Sequence, residues 1–332
     1  MKAIVVKERG GSEILKLQEI SAPQPGSGEV LVKVAAAGVN FADIMQHKGT
    51  YPLQLPTPYT PGMEIAGIVA AVGDDVSNIY VGNRVAAISF TAGGYAEYIV
   101  LPAEQLIPLP EDIDLHSVLA LLIQGLSAYF LLDYSARLQS GESVLVHAAS
   151  GGVGNMAVQI AKLMGAGQIF GTAGSEAKRT QIRKIGVDYP IDYTDEGWPE
   201  AVLKETQNRG IDVILDSVGA AAIVSNLRCL GTEGRLVTYG WLSGDYPSIT
   251  PEQSKTLLFK NQSIIGFAVN IVIEKYPERI SQALHQLFIW LREGKLKPTF
   301  GPTFSLNQAS AAHTAILNRE TSGKVILTVD KK

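Results

Sequence analysis

A glycine cluster near the middle of the chain has the clearest chemical use of any pattern in the sequence. Gly151-Gly152-Val153-Gly154 follows a strand-like run at 143–149 and opens a helical pattern that continues to residue 164. Glycine lets the main chain approach a pyrophosphate closely, and the N-terminus of a helix offers unpaired N–H groups and partial positive charge to an anion. We therefore expect a dinucleotide-binding loop here rather than a purely structural turn. The sequence holds no G-x-x-x-x-G-K-[ST] loop, which argues against a nucleoside triphosphate.

The end of the next predicted strand indicates which dinucleotide binds. NAD-binding proteins usually place Asp or Glu about 20 residues after the glycines, where the carboxylate accepts from the ribose 2′-hydroxyl. This chain has Gly174-Ser175 there, followed by Lys178 and Arg179. A charge-assisted hydrogen bond to a 2′-phosphate is worth roughly 1.5–3 kcal/mol, so we expect NADP(H). Two observations argue the other way: Glu176 is acidic, and the two cations could belong to a solvated helix face.

The glycine cluster lies within a long alternation of strand and helix patterns. Alternation at this spacing produces βαβ units, whose right-handed crossovers give a doubly wound parallel sheet covered on both faces. The predicted strands are 143–149, 168–173, 189–193, 211–215, 235–239 and 263–269, and the predicted helices between them are 152–164, 176–185, 199–208 and 220–230.

The segments on either side of this alternation have different patterns. Short runs rich in Val, Ile, Ala and Tyr, at 2–6, 29–37, 64–72, 84–88 and 95–101, predict a barrel-like β module. After residue 275, helical patterns at 277–292 and 307–317 and a strand at 324–329 predict a return to that module. We therefore expect a β domain at 1–122, a dinucleotide-binding domain at 123–270 and a C-terminal return at 271–332.

Several motifs taken together resemble one known family. They are Gly28-Glu29-Val30-Leu31-Val32-Lys33-Val34, Gly38-Val39-Asn40-Phe41-Ala42-Asp43, Pro61-Gly62-Met63-Glu64-Ile65-Ala66-Gly67, Gly82-Asn83-Arg84-Val85, Gly94-Tyr95-Ala96-Glu97-Tyr98, His147-Ala148-Ala149-Ser150-Gly151-Gly152-Val153-Gly154 and Asp216-Ser217-Val218-Gly219. Over nearly its whole length the chain resembles the medium-chain dehydrogenase/reductase superfamily, and within it the zinc-free, zeta-crystallin-like quinone oxidoreductases. The resemblance implies an α/β protein with a GroES-like β-barrel domain and a Rossmann doubly wound parallel-sheet domain. It also implies a homodimer in which the edge strand at 263–269 pairs with its symmetry mate.

The same resemblance implies roles for individual residues. The pyrophosphate should lie against Gly151, Gly152 and Val153, and the adenosine phosphate against Ser175, Lys178 and Tyr193. The residues expected near the ribose and nicotinamide are Asn40, Phe41, Ser127, Ser217, Gly240 and Trp241. The residues expected to close the far side of the cofactor are Phe267, Val269 and Arg319.

We expect no metal in this protein. Zinc members of the superfamily have Cys and His where this chain has Asn40 and Met63, and the third ligand region carries Gln124. Amides and thioethers are not normal zinc ligands. The chain has one cysteine, Cys229, so a lobe with four structural cysteines has no counterpart, and His147 is expected to be a packed strand residue rather than a catalyst.

Without a Lewis acid, the expected substrate is an electron-poor acceptor. A quinone, or an alkene conjugated to a carbonyl, spreads incoming charge onto an oxygen, so the protein needs orientation and hydrogen-bond donors. Tyr51 is the candidate donor, with an aromatic pocket wall as its alternative role, and Asn40 could hold the nicotinamide ribose or the substrate oxygen. The leading hypothesis is NADPH-dependent reduction of quinones. The alternatives are a reductase of conjugated enones or enals, free-standing or as the enoyl reductase module of a polyketide synthase, and an NADPH-binding protein with little turnover.

Charge and hydropathy argue against other classes. The 332-residue chain has a net charge of −4 and no Lys/Arg run longer than two residues, unlike a nucleic-acid-binding protein. The apolar stretch at 117–132 predicts a buried helix or helix pair, because a membrane span needs about 20 residues. The apolar run near the N-terminus is too short for a secretory signal, so we expect a cytoplasmic protein.

Overall fold

The computed structural model describes residues 1–329 and divides the chain into two compact units. The first unit combines Met1–Ile123 with the chain from Pro298 onward, and the second is Gln124–Lys297. The terminal pair Lys331-Lys332 and the last residues of the expected 271–332 segment lie outside the described part. The expected α/β class, a β domain with a doubly wound parallel-sheet domain, is confirmed.

The first unit is built around β3, a long strand that pairs with three neighbours. β3 pairs antiparallel with β4, β6 and β15, and the longest path through its main sheet is β14-β15-β3-β4-β5-β7. Its strands are β1 (Lys2–Val5), β2 (Lys16–Glu19), β3 (Glu29–Val39), β4 (Glu64–Val72), β5 (Arg84–Ile88), β6 (Tyr98–Pro102), β7 (Leu106–Pro108), β14 (Phe300–Ser305) and β15 (Lys324–Thr328). Its helices are α1 (Phe41–Lys48), α2 (Leu115–Ala120) and α11 (Ala309–Leu317). Apolar side chains from β3, β4 and β15, such as Val32, Val69 and Leu327, form its core.

The second unit contains a six-stranded parallel sheet in the order β10-β9-β8-β11-β12-β13. Numbered within this unit, that order is 3-2-1-4-5-6, and sheets of this order bind ligands beyond the carboxyl ends of the two central strands, here β8 and β11. The strands are β8 (Ser143–Val146), β9 (Gln168–Thr172), β10 (Tyr189–Ile191), β11 (Ile211–Asp216), β12 (Leu230–Thr238) and β13 (Ser263–Gly266). The helices are α3 (Leu126–Phe130), α4 (Gly152–Leu163), α5 (Glu176–Lys184), α6 (Trp198–Glu205), α7 (Ile223–Cys229), α8 (Pro251–Phe259), α9 (Val269–Lys275) and α10 (Pro277–Arg292).

The strand expected at 263–269 is shorter in the structure. β13 ends at Gly266, which lies opposite Thr238, the last residue of its neighbour β12. Beyond this point the partner strand has ended, so the chain turns and Val269 opens α9 instead of extending the strand. Helix α8, which precedes β13, was not expected. The Thr250 hydroxyl caps its N-terminus by accepting from the Gln253 backbone N–H.

The C-terminal return begins later than the expected residue 271. Helix α10 stays with the second unit, because Arg279 Nη2 lies 2.8 Å from Asp133 Oδ2 and the Trp290 ring lies 6.2 Å from Tyr129. Lys297 is also held there, since its backbone N–H donates to Gln159 Oε1 of α4 over 2.8 Å. The chain therefore joins the first unit at Pro298.

The apolar stretch at 117–132 lies within the helical run Leu115–Ala136, which includes α2 and α3 and is kinked at Leu122. In the described part of the chain this helix alone is long and apolar enough to cross a membrane, with a mean hydropathy of 1.8. Its most apolar window is 78% buried within the structure. This burial is typical of a core helix and agrees with the expectation of a buried helix.

Candidate active site

The glycine cluster forms the junction between β8 and α4. Gly151 is the residue preceding the helix, and its backbone N–H donates to the Ala148 carbonyl over 2.8 Å. The N–H groups of residues 152–154 lie in the first turn of α4, where an α-helix provides no carbonyl partners. They are therefore donors for an anion, reinforced by the helix dipole.

The crowding around these glycines explains why side chains are excluded. A Cβ at Gly154 would lie 2.3 Å from the Ala148 carbonyl oxygen, and a Cβ at Gly152 would lie 2.2 Å from the Gln124 side-chain amide. At Gly154 the obstacle is backbone, so only glycine fits there, whereas a side chain at Gly152 would require the Gln124 side chain to move. The loop thus has the shape and the donors that a dinucleotide pyrophosphate requires, so the residues present fit the implied cofactor.

A second group of predicted residues meets at the ends of β9 and β10. Ser175 precedes α5, and its hydroxyl accepts from the Lys178 backbone N–H over 3.3 Å. Gly174 packs closely against the Tyr193 side chain: a Cβ on this glycine would lie 2.7 Å from the Tyr193 hydroxyl. The structure therefore brings together Ser175, Lys178 and Tyr193, the residues expected at the adenosine phosphate.

Two other charged residues in this region have partners of their own. Arg179 contacts Asp192 over 2.7 Å and Glu176 over 3.0 Å. Hydrogen bonding and charge from Arg179 hold the pKa of the Glu176 carboxyl below its usual value. Glu176 is therefore paired along its own helix and with the next turn, which weakens the argument that its carboxylate accepts from a ribose 2′-hydroxyl.

The residues expected around the nicotinamide follow β11, β12 and β13 at the same end of the sheet. A Cβ at Gly240 would lie 3.0 Å from the Ser217 carbonyl oxygen, and the Trp241 ring packs 4.9 Å from Tyr246. The Phe267 backbone N–H donates to Thr238 O over 2.9 Å, so Phe267 lies beside this group. Val269 begins α9, Ser127 is buried in α3, and Arg319 lies in the first unit after α11.

Asn40 lies in the first unit, held by residues that the sequence did not single out as functional. It precedes α1, of which Phe41 is the first residue. Its Nδ2 donates to Glu64 Oε1 over 2.7 Å, and its Oδ1 accepts from Lys324 Nζ over 3.1 Å. Glu64 appears in a family motif, but Lys324 is 284 residues away from Asn40 in sequence and no motif indicates their contact.

Tyr51 follows α1 and is half-buried. Its backbone N–H donates to the Met45 carbonyl over 3.2 Å, which fixes the start of its loop. Burial, together with the charge of Asp43, raises the pKa of the Tyr51 hydroxyl. The group therefore remains protonated at neutral pH, as a hydrogen-bond donor must.

Asp43 lies at one end of a series of buried polar groups that contact one another in the first unit. Its carboxylate accepts from the backbone N–H groups of Asn40, over 2.8 Å, and Met63, over 3.1 Å. The Tyr95 hydroxyl lies 3.5 Å from Asp43 and 3.0 Å from His313, whose other ring nitrogen lies 3.2 Å from His47. Burial raises the pKa of Asp43 to about 7 and lowers that of His313 to about 3. The sequence offered no indication that these buried polar groups contact one another.

The remaining candidates for chemistry are buried and engaged. His147 lies 2.6 Å from Asn226 Oδ1 and 3.2 Å from Thr172 Oγ1, and burial lowers its pKa, so it is a packed strand residue as expected. Cys229 is buried at the end of α7, and burial raises its thiol pKa to about 12. Within residues 1–329, no three or more His, Cys, Asp or Glu side chains are grouped to hold a metal.

Comparison with known proteins gives consistent matches along the chain. Residues 26–111 match the alcohol dehydrogenase GroES-like domain, and residues 152–287 match the family described as zinc-binding dehydrogenase. The second span does not include Asn40, Met63 or Gln124. The chain is 35% identical to a quinone oxidoreductase of Sus scrofa, over 98% of this chain and 97% of the relative. It is 34% identical to one of Pseudomonas aeruginosa, over 98% and 99%.

Solved structures agree with these relatives. The quinone oxidoreductase of Escherichia coli complexed with NADPH has a TM-score of 0.92 and 30% identity, covering 99% of this chain and 100% of that one. A quinone oxidoreductase of Pseudomonas syringae has a TM-score of 0.90 and 31% identity, covering 98% and 99%.

The raised pKa of Asp43 predicts how stability depends on pH. Between the ordinary pKa of 3.8 and the folded value of about 7, the folded chain holds a proton at Asp43 that the unfolded chain has lost. Stability from this group therefore falls as pH rises through that window. Asp43→Asn cannot ionise, so its free energy of unfolding relative to the wild type should rise from pH 4 to pH 7, by on the order of 4 kcal/mol, and then level off.

Urea unfolding of both proteins at a series of pH values measures this difference. The loss of one acceptor for a backbone N–H in Asp43→Asn adds a cost that does not vary with pH, and shifts at other groups cancel in the comparison. Stability curves that run parallel from pH 4 to pH 7 would show that Asp43 is not held protonated by the fold.

Proposed function

Because the chain belongs to the quinone oxidoreductase branch of the medium-chain dehydrogenase/reductase family, we propose that it is an NADPH-dependent oxidoreductase that reduces quinones without a metal. The observation that carries the proposal is the side-chain-free N-terminus of α4, where the close approach of the Ala148 backbone leaves room only for glycine at position 154. This loop occurs in a chain similar over its whole length to an Escherichia coli quinone oxidoreductase that binds NADPH.

The cofactor contacts are assigned to residues of both units, most of them at the carboxyl ends of the parallel strands. We assign the pyrophosphate to Gly151, Gly152 and Val153, and the adenosine phosphate to Ser175, Lys178 and Tyr193. The assignments for the ribose and nicotinamide half are Asn40, Phe41, Ser127, Ser217, Gly240, Trp241, Phe267, Val269 and Arg319. The proximity of Ser217 to Gly240, and of Ser175 to Lys178, supports grouping them in this way.

NADPH supplies a hydride when it is bound, and the chain supplies position and polarity. A quinone that accepts one hydride and one proton becomes a hydroquinone, so the negative charge develops on a quinone oxygen before it is protonated. We assign Tyr51 as the donor to this oxygen, since burial raises its pKa and keeps its hydroxyl protonated. Asn40 offers a second donor.

We also propose that the protein acts as a cytoplasmic homodimer. β13 is the edge strand of the parallel sheet and has a paired neighbour on one side only. The preceding helix α8 exposes 72% of Leu258 and 77% of Phe259, large apolar side chains that are usually covered in solution. Pairing of β13 with its symmetry mate would extend the sheet and could cover these side chains.

Turnover with a panel of acceptors tests the proposed reaction. Under anaerobic conditions, NADPH absorbance at 340 nm should fall when quinones are added, because an electron-poor ring accepts hydride without a Lewis acid. Conjugated enones and enals are measured in parallel, as is NADPH alone. Faster turnover of enones than of every quinone would make the protein an alkene reductase, and tight NADPH binding without turnover of either class would make it a binding protein.

The cofactor preference depends on Lys178. Removal of its charge by Lys178→Ala should weaken NADPH binding by about 10- to 100-fold while NADH affinity changes by less than about threefold, because only NADPH carries the 2′-phosphate. Fluorescence titration gives both dissociation constants. Lys184→Ala, which removes the same charge from the exposed end of α5, is the matched control. Equal weakening of both nucleotides by Lys178→Ala would remove this assignment.

The mass of the protein in solution tests the proposed dimer directly. Light scattering after size exclusion should give twice the chain mass of 35.5 kDa, and the double substitution Leu258→Ser/Phe259→Ser should shift the protein toward monomer. Tyr80→Ser, which removes an exposed aromatic ring in the first unit, should leave the mass unchanged. A monomeric wild type would refute the dimer.

A further inference from the structure

A buried ion pair lies beside Asn40 in the first unit. Lys324 Nζ contacts Glu64 Oε1, and both side chains are 0% exposed. Burying two charges costs more solvation free energy than their attraction usually returns, so such a pair is not explained by stability alone. We therefore look for a role of this pair other than stabilising the fold.

The pair occupies space that a side chain on β3 would otherwise fill, because the residue facing it is a glycine. A Cβ at Gly38 would lie 2.2 Å from Glu64 Oε1 and 2.6 Å from Lys324 Cε. The second carboxylate oxygen of Glu64 accepts from the Ile123 backbone N–H over 3.0 Å, so the carboxylate cannot rotate freely. The register of β15 against β3, with Val325 opposite Val39, brings Lys324 to the end of β3 where Asn40 begins.

The ion pair determines which way the Asn40 amide faces. An ammonium group only donates and a carboxylate only accepts, so the amide oxygen must face Lys324 and the amide nitrogen must face Glu64. The distances agree: 3.1 Å from Lys324 Nζ to Oδ1, and 2.7 Å from Nδ2 to Glu64 Oε1. One of the two Nδ2 hydrogens is used by Glu64, and the other remains as a donor in a fixed direction.

The backbone of Asn40 is held as firmly as its side chain. Its N–H donates to Asp43 Oδ2 over 2.8 Å, and the residue is 6% exposed. A side chain with both amide ends and its backbone fixed has little rotamer freedom left to lose when it binds. Such preorganisation is the condition under which a single donor contributes most to a transition state.

We propose that Lys324 is a positioning residue for quinone reduction, acting together with Glu64 to aim the second Nδ2 hydrogen of Asn40 at the acceptor oxygen that gains charge. This inference rests on the proposed function. Lys324 does not touch the reactants. It selects one of two amide orientations, since the flipped amide would present an oxygen to the developing negative charge instead of a donor.

The test removes both charges together. Lys324→Met alone leaves the Glu64 carboxylate buried without its partner and risks unfolding the chain. The double variant Lys324→Met/Glu64→Gln removes both charges of the pair, and its amide at position 64 can pair with Asn40 in either orientation. Cooperative urea unfolding should therefore persist. NADPH affinity should fall much less than kcat, because the assigned phosphate contacts lie in the second unit and are not changed.

The expected loss appears in kcat. The double variant should turn over quinone roughly 10- to 100-fold more slowly, because the amide presents its donor for only part of the time. Asn40→Ala should cause a similar loss in the wild type and little further loss in the double variant, since both changes remove one interaction. Additive losses would show that Lys324 does not act through Asn40 and would overturn the proposal.

A spectroscopic measurement decides the positioning without turnover. In the wild type, the side-chain amide protons of Asn40 should give two separate ¹⁵N-resolved signals that exchange slowly with solvent, and in the double variant their exchange should be faster. Unchanged exchange would overturn the positioning role. If the wild type turns over no quinone, the proposed function fails on that result, and the amide signals still decide whether Lys324 orients Asn40.

Discussion

The exposed backbone at the start of α4 is the constraint on which the proposed site depends. An anion can be held by N–H groups only if no side chain lies in front of them, and here the Ala148 carbonyl and the Gln124 amide already occupy the space that a Cβ at Gly154 or Gly152 would need. In the parallel sheet, this loop lies beyond the carboxyl ends of the two central strands, β8 and β11. The sheet, the helix and the glycines therefore serve one requirement, which is close approach of a diphosphate to the main chain.

The first unit holds the two neutral hydrogen-bond donors that we assign to the substrate, Asn40 and Tyr51. The Asn40 amide is fixed by the ammonium group of Lys324 and the carboxylate of Glu64. Tyr51 lies in a loop tied to Met45, and burial keeps its hydroxyl protonated. An electron-poor acceptor suits such a site, because hydrogen bonds can stabilise charge on an oxygen that already carries partial charge.

Local patterns in the sequence were enough for the class, the parallel sheet and the glycine loop, because these depend on periodicity and on residues adjacent in the chain. The features that sequence reasoning missed depend on contacts between distant segments. Lys324 meets Asn40 across 284 residues, and Arg179 is matched by Asp192 from the next strand. The end of β13 at Gly266 is set by the end of β12, which its own residues do not reveal.

A crystal structure of the protein with NADPH tests the central claim most directly. The account predicts that diphosphate oxygens accept hydrogen bonds from the backbone N–H groups at the start of α4, and that the 2′-phosphate lies beside Ser175 and Lys178. A diphosphate bound elsewhere, or a loop at 151–154 that makes no contact with the nucleotide at saturation, would contradict it.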